Sequence, residues 1–150
     1  MPSPFFLQGH EIHIWKIDLA DLRWDSMSHV LSTDEQVIET RVSDVHKRQR
    51  RGRIALRLLL ARYTAGNPLM LRFRYGPFGK PELTDGSVHF NLAHSEDSCL
   101  LAICPMALGV DLEWMGKQGL NVEELSSSIF HLCDKKEFAL LQADERLRYF

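Results

Sequence analysis

The sequence has little of what membrane and secreted proteins carry. No apolar run approaches the roughly 20 residues that a helix needs to cross a bilayer. The opening stretch, MPSPFFLQGHEIH, has neither the basic nor the apolar region of a signal peptide. Only three of the 150 residues are cysteine, and they form no C-x-x-C pair. We therefore expect a cytoplasmic protein with reduced thiols and no membrane association.

An excess of charge of one sign is also lacking. The formal net charge is −2, which argues against nucleic acid as a partner of the whole chain. The exception is HKRQRRGR, residues 46–53, which carries five Lys or Arg and no acid. Most of these side chains are expected on a solvated helix face. Arg53 and Arg57 lie four residues apart, on one side of the helix and in its apolar part. An arginine there needs a partner, and a phosphate suits the guanidinium group because it can bind through two hydrogen bonds.

Hydrophobic periodicity predicts an α+β fold. Alternation predicts strands in HEIHIWKID (10–18), LMLRFRY (69–75) and LGVDLEW (108–114), and SVHFNL (87–92) and SCLLAIC (98–104) are predicted to form a hairpin. Helices are predicted at 33–41, 44–65, 121–130 and 134–149. Capping boxes are expected at Ser32–Glu35 and at Asp134–Glu137, and Gly66 is expected to end the second helix. Cys104-Pro105 interrupts the strands, so we predict lobes over 1–105 and 106–150.

The segment LGVDLEW places two carboxylates on one strand face. Asp111 and Glu113 are two residues apart, and the apolar residues alternate with them. A half-buried strand with a solvated polar face would show this pattern. So would a site for a hard cation, because Mg²⁺ takes one or two carboxylates together with substrate phosphates. The seven residues alone leave both readings open.

Two further segments add groups that suit a phosphate ligand. GPFGKP, residues 76–81, is a glycine-rich turn that carries Lys80. FNLAHS, residues 90–95, carries His94, which by itself would be assigned to the turn of a hairpin. Neither segment is a G-x-x-x-x-G-K-[ST] phosphate loop. Each is a weak signal when taken alone.

Taken in order, four segments resemble the Sfp-type 4′-phosphopantetheinyl transferase family. They are GRIALRLLL (52–60), YGPFGKPEL (75–83), FNLAHS (90–95) and LGVDLE (108–113). The resemblance implies two pseudo-symmetric lobes, each a small, mainly antiparallel sheet with a long helix, the second lobe being partial. It also implies transfer of the phosphopantetheine arm of coenzyme A to a serine of an apo acyl or peptidyl carrier protein.

The resemblance implies a role for each candidate residue. Asp111 and Glu113 correspond to the catalytic acidic pair that holds Mg²⁺ against the pyrophosphate of coenzyme A. His94 corresponds to a histidine near the 3′-phosphate, and either Arg53 or Arg57 to a basic residue for a phosphate. The full set expected to contact coenzyme A is Arg53, Arg57, Lys80, Pro81, His94 and Ser95.

The sequence also departs from the family pattern. Ala93 stands where the family usually has a serine, which removes one hydroxyl contact worth about 1 kcal/mol. The third motif, W-x-x-K-E-A-x-x-K, does not occur, and the chain ends at Phe150. We therefore expect an incomplete second lobe, impaired transfer, and unpaired edges that favour a homodimer or a segment swap. The alternatives are a non-catalytic fragment that binds coenzyme A or a carrier protein, and an unrelated α+β domain.

Overall fold

The computed structural model describes residues 5–37, 43–114 and 132–142. The chain divides into two compact units, Met1–Glu113 and Trp114–Phe150. Small antiparallel sheets occur together with helices, so the α+β class is confirmed. The pseudo-symmetry of two lobes remains a prediction. Within the described ranges, no helix is both long enough and apolar enough to span a membrane.

The regular elements of the described residues follow the predicted order in part: the strand Pro81–Leu83 and two 3-10 helices were not predicted, and the strand predicted at 108–114 is not formed. The strands are β1 (His13–Asp18), β2 (Phe73–Tyr75), β3 (Pro81–Leu83), β4 (His89–Ser95) and β5 (Ser98–Cys104). The α-helices are α1 (Thr33–Val37), α2 (Asp44–Tyr63) and α3 (Leu132–Leu140), and 3-10 helices span Leu22–Val30 and Pro68–Met70. Strand β2 is shorter than predicted because Pro68–Met70 forms a 3-10 turn before it.

The main sheet has the order β1–β5–β4, with both pairs antiparallel. Leu101 of the central strand is the partner of Trp15 on one side and of Leu92 on the other. The β4–β5 hairpin was predicted, but its turn is tighter than expected and contains only Glu96 and Asp97. His94 and Ser95 therefore belong to β4, so the expectation of a turn residue at position 94 is wrong.

Helix α2 packs one face on this sheet and a second face on the 3-10 segment before it. Leu56 and Leu60, four residues apart, are fully buried against the sheet. Ile54 lies on the other face and packs with Val30 and Leu31. The fully or almost fully buried sheet residues of this core are Ile17, Phe90, Cys99, Leu101 and Ile103. Two buried faces explain why the apolar stripe of the helix is wider than a single face requires.

The ends of the helices correct three predictions in detail. Helix α2 ends with Ala65 in the left-handed region, at φ 50°, and the Gly66 N–H donates to the Ala61 carbonyl at 3.1 Å. Ala65, and not Gly66, therefore occupies the position that favours glycine. Helix α3 already includes Asp134, so a capping box at that residue is wrong. The helix ends at Leu140, far short of the predicted residue 149.

One half of the capping box predicted at the start of α1 is found. The Ser32 N–H donates to Glu35 Oε2 at 2.9 Å, and the Gln36 N–H donates to the Ser32 carbonyl at 3.0 Å. Residues 38–41 of the predicted first helix, all of the helix predicted at 121–130 and residues 143–149 lie outside the described residues.

Cys99 and Cys104 are buried free thiols. Burial raises the pKa of Cys99 to about 11, because the thiolate would lose its hydration in the core. Cys99 therefore stays protonated at neutral pH and serves as a small apolar core residue.

Candidate active site

The acidic segment, residues 108–113, is held in place without joining either sheet of the described residues. It is irregular, so the strand predicted there is not formed. The alternation of exposure nevertheless persists: Asp111 and Glu113 are exposed, and Leu108, Val110 and Leu112 are half-buried. The two carboxylates thus lie on the exposed side of a segment whose apolar side chains are half-buried.

Two neighbouring motifs bind the backbone of the acidic segment directly. Lys80 Nζ, from the GPFGKP turn, donates to the Leu108 carbonyl at 2.6 Å. The Val110 N–H donates to Oδ1 of Asn91 in FNLAHS at 2.9 Å. Three of the four segments singled out in the sequence therefore meet at the residues that precede the first carboxylate.

The GPFGKP turn presents Lys80 through a compact set of backbone bonds. The Gly76 N–H donates to the Lys80 carbonyl at 2.9 Å, and the Gly79 N–H donates to the Gly76 carbonyl at 2.9 Å. Gly79 has φ +78°, a conformation that side chains with a Cβ rarely adopt. Pro81 follows as the first residue of β3 and pairs with Tyr75. The ring of Pro81 limits the backbone directly after Lys80.

Arg53 reaches the base of this turn from helix α2. Its Nη2 donates to the Tyr75 hydroxyl at 2.9 Å, and Tyr75 is the strand partner of Pro81. Its guanidinium also lies 5.6 Å from the centre of the Phe73 ring, and its Nε is 3.5 Å from Glu35 Oε1. The side chain keeps 28% of its surface exposed. Arg53 is thus oriented by the protein and still accessible to a ligand.

Arg57, one turn later, is in a different environment. Its Nε donates to Glu35 Oε2 at 2.7 Å, and its Nη1 donates to the carbonyls of Pro68 at 2.6 Å and Leu71 at 3.3 Å. The side chain is only 3% exposed. These contacts tie helix α2 to the segment that follows it, as a buried arginine with a paired carboxylate requires. Of the two alternatives, the geometry favours Arg53 for a phosphate.

Arg51 is a buried structural residue, although the sequence suggested a solvated position. Its Nη2 donates to Asp25 Oδ2 at 2.7 Å, and its Nη1 donates to the Leu19 carbonyl at 2.9 Å. Hydrogen bonding to Arg51 holds the pKa of Asp25 below its usual value. Arg51 thus links α2 to the 3-10 helix through Asp25 and to the end of β1 through Leu19.

Acids from α2 itself and from distant parts of the chain neutralise much of the remaining basic segment. The ion pairs are Lys47 with Asp44 at 3.1 Å, Arg48 with Asp97 at 2.5 Å, and Arg50 with Asp25 at 3.5 Å. The Arg48 pair also anchors the turn that follows His94 and Ser95 to helix α2. Residues 46–53 are therefore less available to an external anion than their five Lys and Arg residues suggest.

His94 and Ser95 occupy the last two positions of β4. His94 is exposed and is the strand partner of Cys99, while Ser95 is half-buried and pairs with Ser98. By the alternation of the strand, Asn91 shares its face with Ala93 and Ser95. Ala93, the departure from the family pattern, thus lies on the face from which Asn91 binds the acidic segment.

Sequence reasoning missed two residues of this region. Glu35 was expected only as a cap, yet it also binds Arg57 and lies beside Arg53. Asn91 was part of a quoted motif but had no role assigned. Nothing in the spacing shows that an amide in one strand meets the backbone 19 residues later, so only the motif itself could have pointed to Asn91.

The chemistry of the exposed donors fits Mg²⁺. Asp111 and Glu113 offer carboxylate oxygens, the ligands that this cation prefers. Among residues 5–37, 43–114 and 132–142, no cluster of three or more His, Cys, Asp or Glu side chains is arranged to hold a metal ion. Two carboxylates completed by phosphate oxygens and water are a common ligand set for Mg²⁺.

Comparison with known proteins agrees with the motifs, although no family model matches the sequence. The chain is 30% identical over 151 residues to the 4′-phosphopantetheinyl transferase HetI of Nostoc sp., an alignment covering 95% of the chain and 62% of HetI. It is 34% identical over 127 residues to a Synechocystis sp. protein named "Putative 4′-phosphopantetheinyl transferase slr0495", covering 81% of the chain and 51% of that protein. The chain thus spans between half and two thirds of these relatives. Over most of its length the chain is therefore similar to two proteins named as 4′-phosphopantetheinyl transferases, in agreement with the resemblance of its motifs.

Proposed function

We propose that this protein transfers the 4′-phosphopantetheine group of coenzyme A to a serine of an apo acyl or peptidyl carrier protein, with Mg²⁺ as cofactor. The observation that carries the proposal is the meeting of three motifs at the acidic segment. Lys80 binds the Leu108 carbonyl and Asn91 binds the Val110 N–H, directly before Asp111. The names of the two relatives support the same activity.

Asp111 and Glu113 are proposed as the catalytic carboxylates and the metal ligands. Both are exposed, so a cation and a phosphate can approach them from solvent. When bound there, Mg²⁺ would neutralise charge on the pyrophosphate and help to orient it. The residues of the chain supply the fixed carboxylates, since the segment that carries them is bonded at two points.

The remaining candidates are proposed to bind coenzyme A. An ammonium group has three N–H donors, so Lys80 can hold the Leu108 carbonyl and still donate to a phosphate. Arg53 presents a partly exposed guanidinium at the base of the same turn, next to Pro81. His94 and Ser95, at the end of β4, are proposed for the 3′-phosphate end. Arg57 is proposed to act only indirectly, through the packing of α2.

In the proposed reaction, the carrier serine oxygen attacks the β-phosphorus of coenzyme A. A serine O–P bond forms and the pyrophosphate P–O bond breaks, so 3′,5′-ADP departs as the hydroxyl proton passes to a base. Positioning and charge stabilisation contribute most of the rate in such phosphoryl transfers. The location in the cytoplasm and the formation of a homodimer or segment swap remain predictions.

We predict that Mn²⁺, a spectroscopic substitute for Mg²⁺, binds this chain more tightly when coenzyme A is present. The pyrophosphate then completes the ligand shell that the two carboxylates begin. The double variant Asp111→Asn, Glu113→Gln should lose the added affinity. Titration of Mn²⁺ by electron paramagnetic resonance, with and without coenzyme A, measures both effects.

A matched control changes the same charge elsewhere. The double variant Glu11→Gln, Asp34→Asn removes two negative charges from exposed positions outside the acidic segment. Its Mn²⁺ affinity should stay close to that of the wild type. If both double variants lost the same Mn²⁺ affinity, the effect would come from the net charge of the protein and not from ligation by Asp111 and Glu113. Binding of coenzyme A and Mn²⁺ with no transfer to a carrier would instead favour the non-catalytic alternative.

A further inference from the structure

The acidic segment depends on side-chain contacts for its placement. In the part of the chain that the structure describes, residues 108–113 join no strand ladder, so neighbouring backbone does not fix their register. Two side-chain contacts act instead: Lys80 at the carbonyl of Leu108 and Asn91 at the N–H of Val110. The two attachment points are two residues apart, and the second directly precedes Asp111.

The two contacts differ in rigidity. Lys80 extends from a glycine-rich turn through a long, flexible side chain. Asn91 has a short side chain, is half-buried, and lies on β4, where it pairs with Ala102 of the central strand β5. A strand of the main sheet is a more precise support than a loop. Asn91 is therefore the contact that can set the position of Val110 closely.

We propose that Asn91 is a positioning residue that orients the acidic segment for its metal ligands. Its amide oxygen fixes the Val110 N–H, and the backbone direction at Val110 sets the side to which Asp111 points. Without this contact, the Val110 N–H loses its acceptor on the main sheet, and the backbone directly before Asp111 is held less closely. The inference rests on the proposed function, because that function supplies the Mg²⁺ ion. The hydrogen bond between Asn91 and Val110 is present in the chain without any ligand.

The contact is tested first by hydrogen exchange, without any ligand. In the variant Asn91→Leu, which keeps the size of the side chain and removes the acceptor, the Val110 amide should exchange about tenfold faster. Asn91→Asp keeps an acceptor oxygen at the same distance and should retain the protection of Val110. Exchange of the Val110 amide is measured by NMR on the 150-residue chain.

The positioning role is tested by a split between metal and coenzyme A affinity. In Asn91→Leu, the affinity for Mn²⁺ in the presence of coenzyme A should fall several-fold, while the affinity for coenzyme A alone changes less than twofold. A control is Thr84→Val, which removes the 2.9 Å hydrogen bond from Thr84 Oγ1 to the Arg72 carbonyl, away from the site. Its metal affinity should match that of the wild type.

Each outcome has a separate meaning. Unchanged Val110 exchange in Asn91→Leu would overturn the inference whether or not the protein binds coenzyme A. Faster exchange with unchanged Mn²⁺ affinity would reduce Asn91 to a structural residue and leave the proposed function intact. A wild-type chain that binds no Mn²⁺ with coenzyme A would overturn the proposed function and, with it, the positioning role.

Discussion

At the scale of single residues, the role of each arginine depends on what lies against its guanidinium. Arg51 and Arg57 are buried and bound to carboxylates and carbonyls, whereas Arg53 stays partly exposed beside two aromatic rings. The three are close neighbours on one helix, yet only Arg53 is placed to receive a ligand. The two buried residues stabilise the fold only as long as their acidic partners remain charged.

Asp25 provides a test of this dependence. The Asp25→Asn variant leaves the buried Arg51 without its charged partner, so the free energy of unfolding at pH 7 should fall by about 1–2 kcal/mol, less than for a fully buried pair because the Asp25 side chain is 38% exposed. Urea denaturation measures the change. The control Asp34→Asn, at an exposed position, should change it by about 0.5 kcal/mol or less.

The same pair predicts a pH dependence. Because Arg51 lowers the pKa of Asp25 in the folded state, this carboxylate stabilises the fold above its unfolded pKa of about 3.9. That contribution is lost as the pH falls through the lower, folded pKa. Asp25→Asn should therefore lose less stability than the wild type between pH 5 and acid conditions of about pH 2. Parallel curves for the two proteins would contradict this account.

Sequence patterns identified the candidate residues but not their partners. The pairs Arg51–Asp25 and Arg57–Glu35 join residues 26 and 22 positions apart. No local period relates such positions. The basic segment was therefore interpreted as mostly solvated, although its residue Arg51 is buried. The motifs were more informative, because Lys80 and the acidic segment were named from the sequence and are in direct contact.

At the scale of secondary structure, elements with local signals were predicted well. The β4–β5 hairpin and the bond from the Ser32 N–H to Glu35 at the start of α1 both depend on residues within a few positions, and both are found. The strand at 108–114 failed because a strand also needs a neighbour, and the pattern of a single segment cannot supply one. Its alternation still predicted the exposure of Asp111 and Glu113, but not that of Trp114, which is 55% exposed.

Helix α2 has a glycine at a position that favours alanine, and the segment directly after it has an alanine at a position that favours glycine. Gly52 lies in the helix, where glycine costs about 0.5–1 kcal/mol relative to alanine. A Cβ added there meets Leu19 Cδ2 at 3.8 Å, an ordinary contact. Ala65, just after the helix, has φ 50°, which a residue with a Cβ adopts at a cost of about 1–2 kcal/mol.

We therefore predict that Gly52→Ala and Ala65→Gly each raise the free energy of unfolding by about 0.5–1 kcal/mol. The two positions are 13 residues apart, so the effects should add in the double variant. Thermal and urea denaturation provide the measurement. Gly66→Ala serves as a control for the helix end and should not stabilise. If Ala65→Gly proved destabilising, the left-handed conformation at that residue would be wrong.

At the scale of the whole molecule, charge is balanced internally. The net charge is −2, and the acids that pair with the basic segment come from the 3-10 helix, the start of α2 and the β4–β5 turn. The groups proposed for coenzyme A lie on helix α2, at the turn before β3 and at the end of β4. A ligand with several phosphates would therefore depend on a few placed cations more than on a broad basic surface.

Because few cations are placed for the ligand, the absence of further charged groups should matter for the rate of transfer. We expect the 150-residue chain to transfer phosphopantetheine far more slowly than a relative that carries the W-x-x-K-E-A-x-x-K motif. The family resemblance assigns to that motif a further metal-binding glutamate and a lysine, and this sequence has neither at matching spacing. Loss of one preorganised charge contact typically costs about 3–4 kcal/mol in the transition state, or about 10²–10³ in rate. Two such losses should cost more, although they do not simply add.

Ground-state binding of coenzyme A should suffer less than transfer, because Arg53, Lys80 and His94 are all present. The measurement is mass spectrometry of an apo carrier protein incubated with the chain, coenzyme A and Mg²⁺, beside the same mixture with HetI, 62% of which aligns with this chain. Calorimetry with coenzyme A provides the binding constant on the same sample. Slow or undetectable conversion together with measurable binding is the expected result. Conversion at the rate of HetI would contradict this expectation. It would mean that Asp111 and Glu113 suffice for transfer, or that a second copy of the chain supplies the further charged groups. Sedimentation distinguishes the two, because the second explanation requires a dimer.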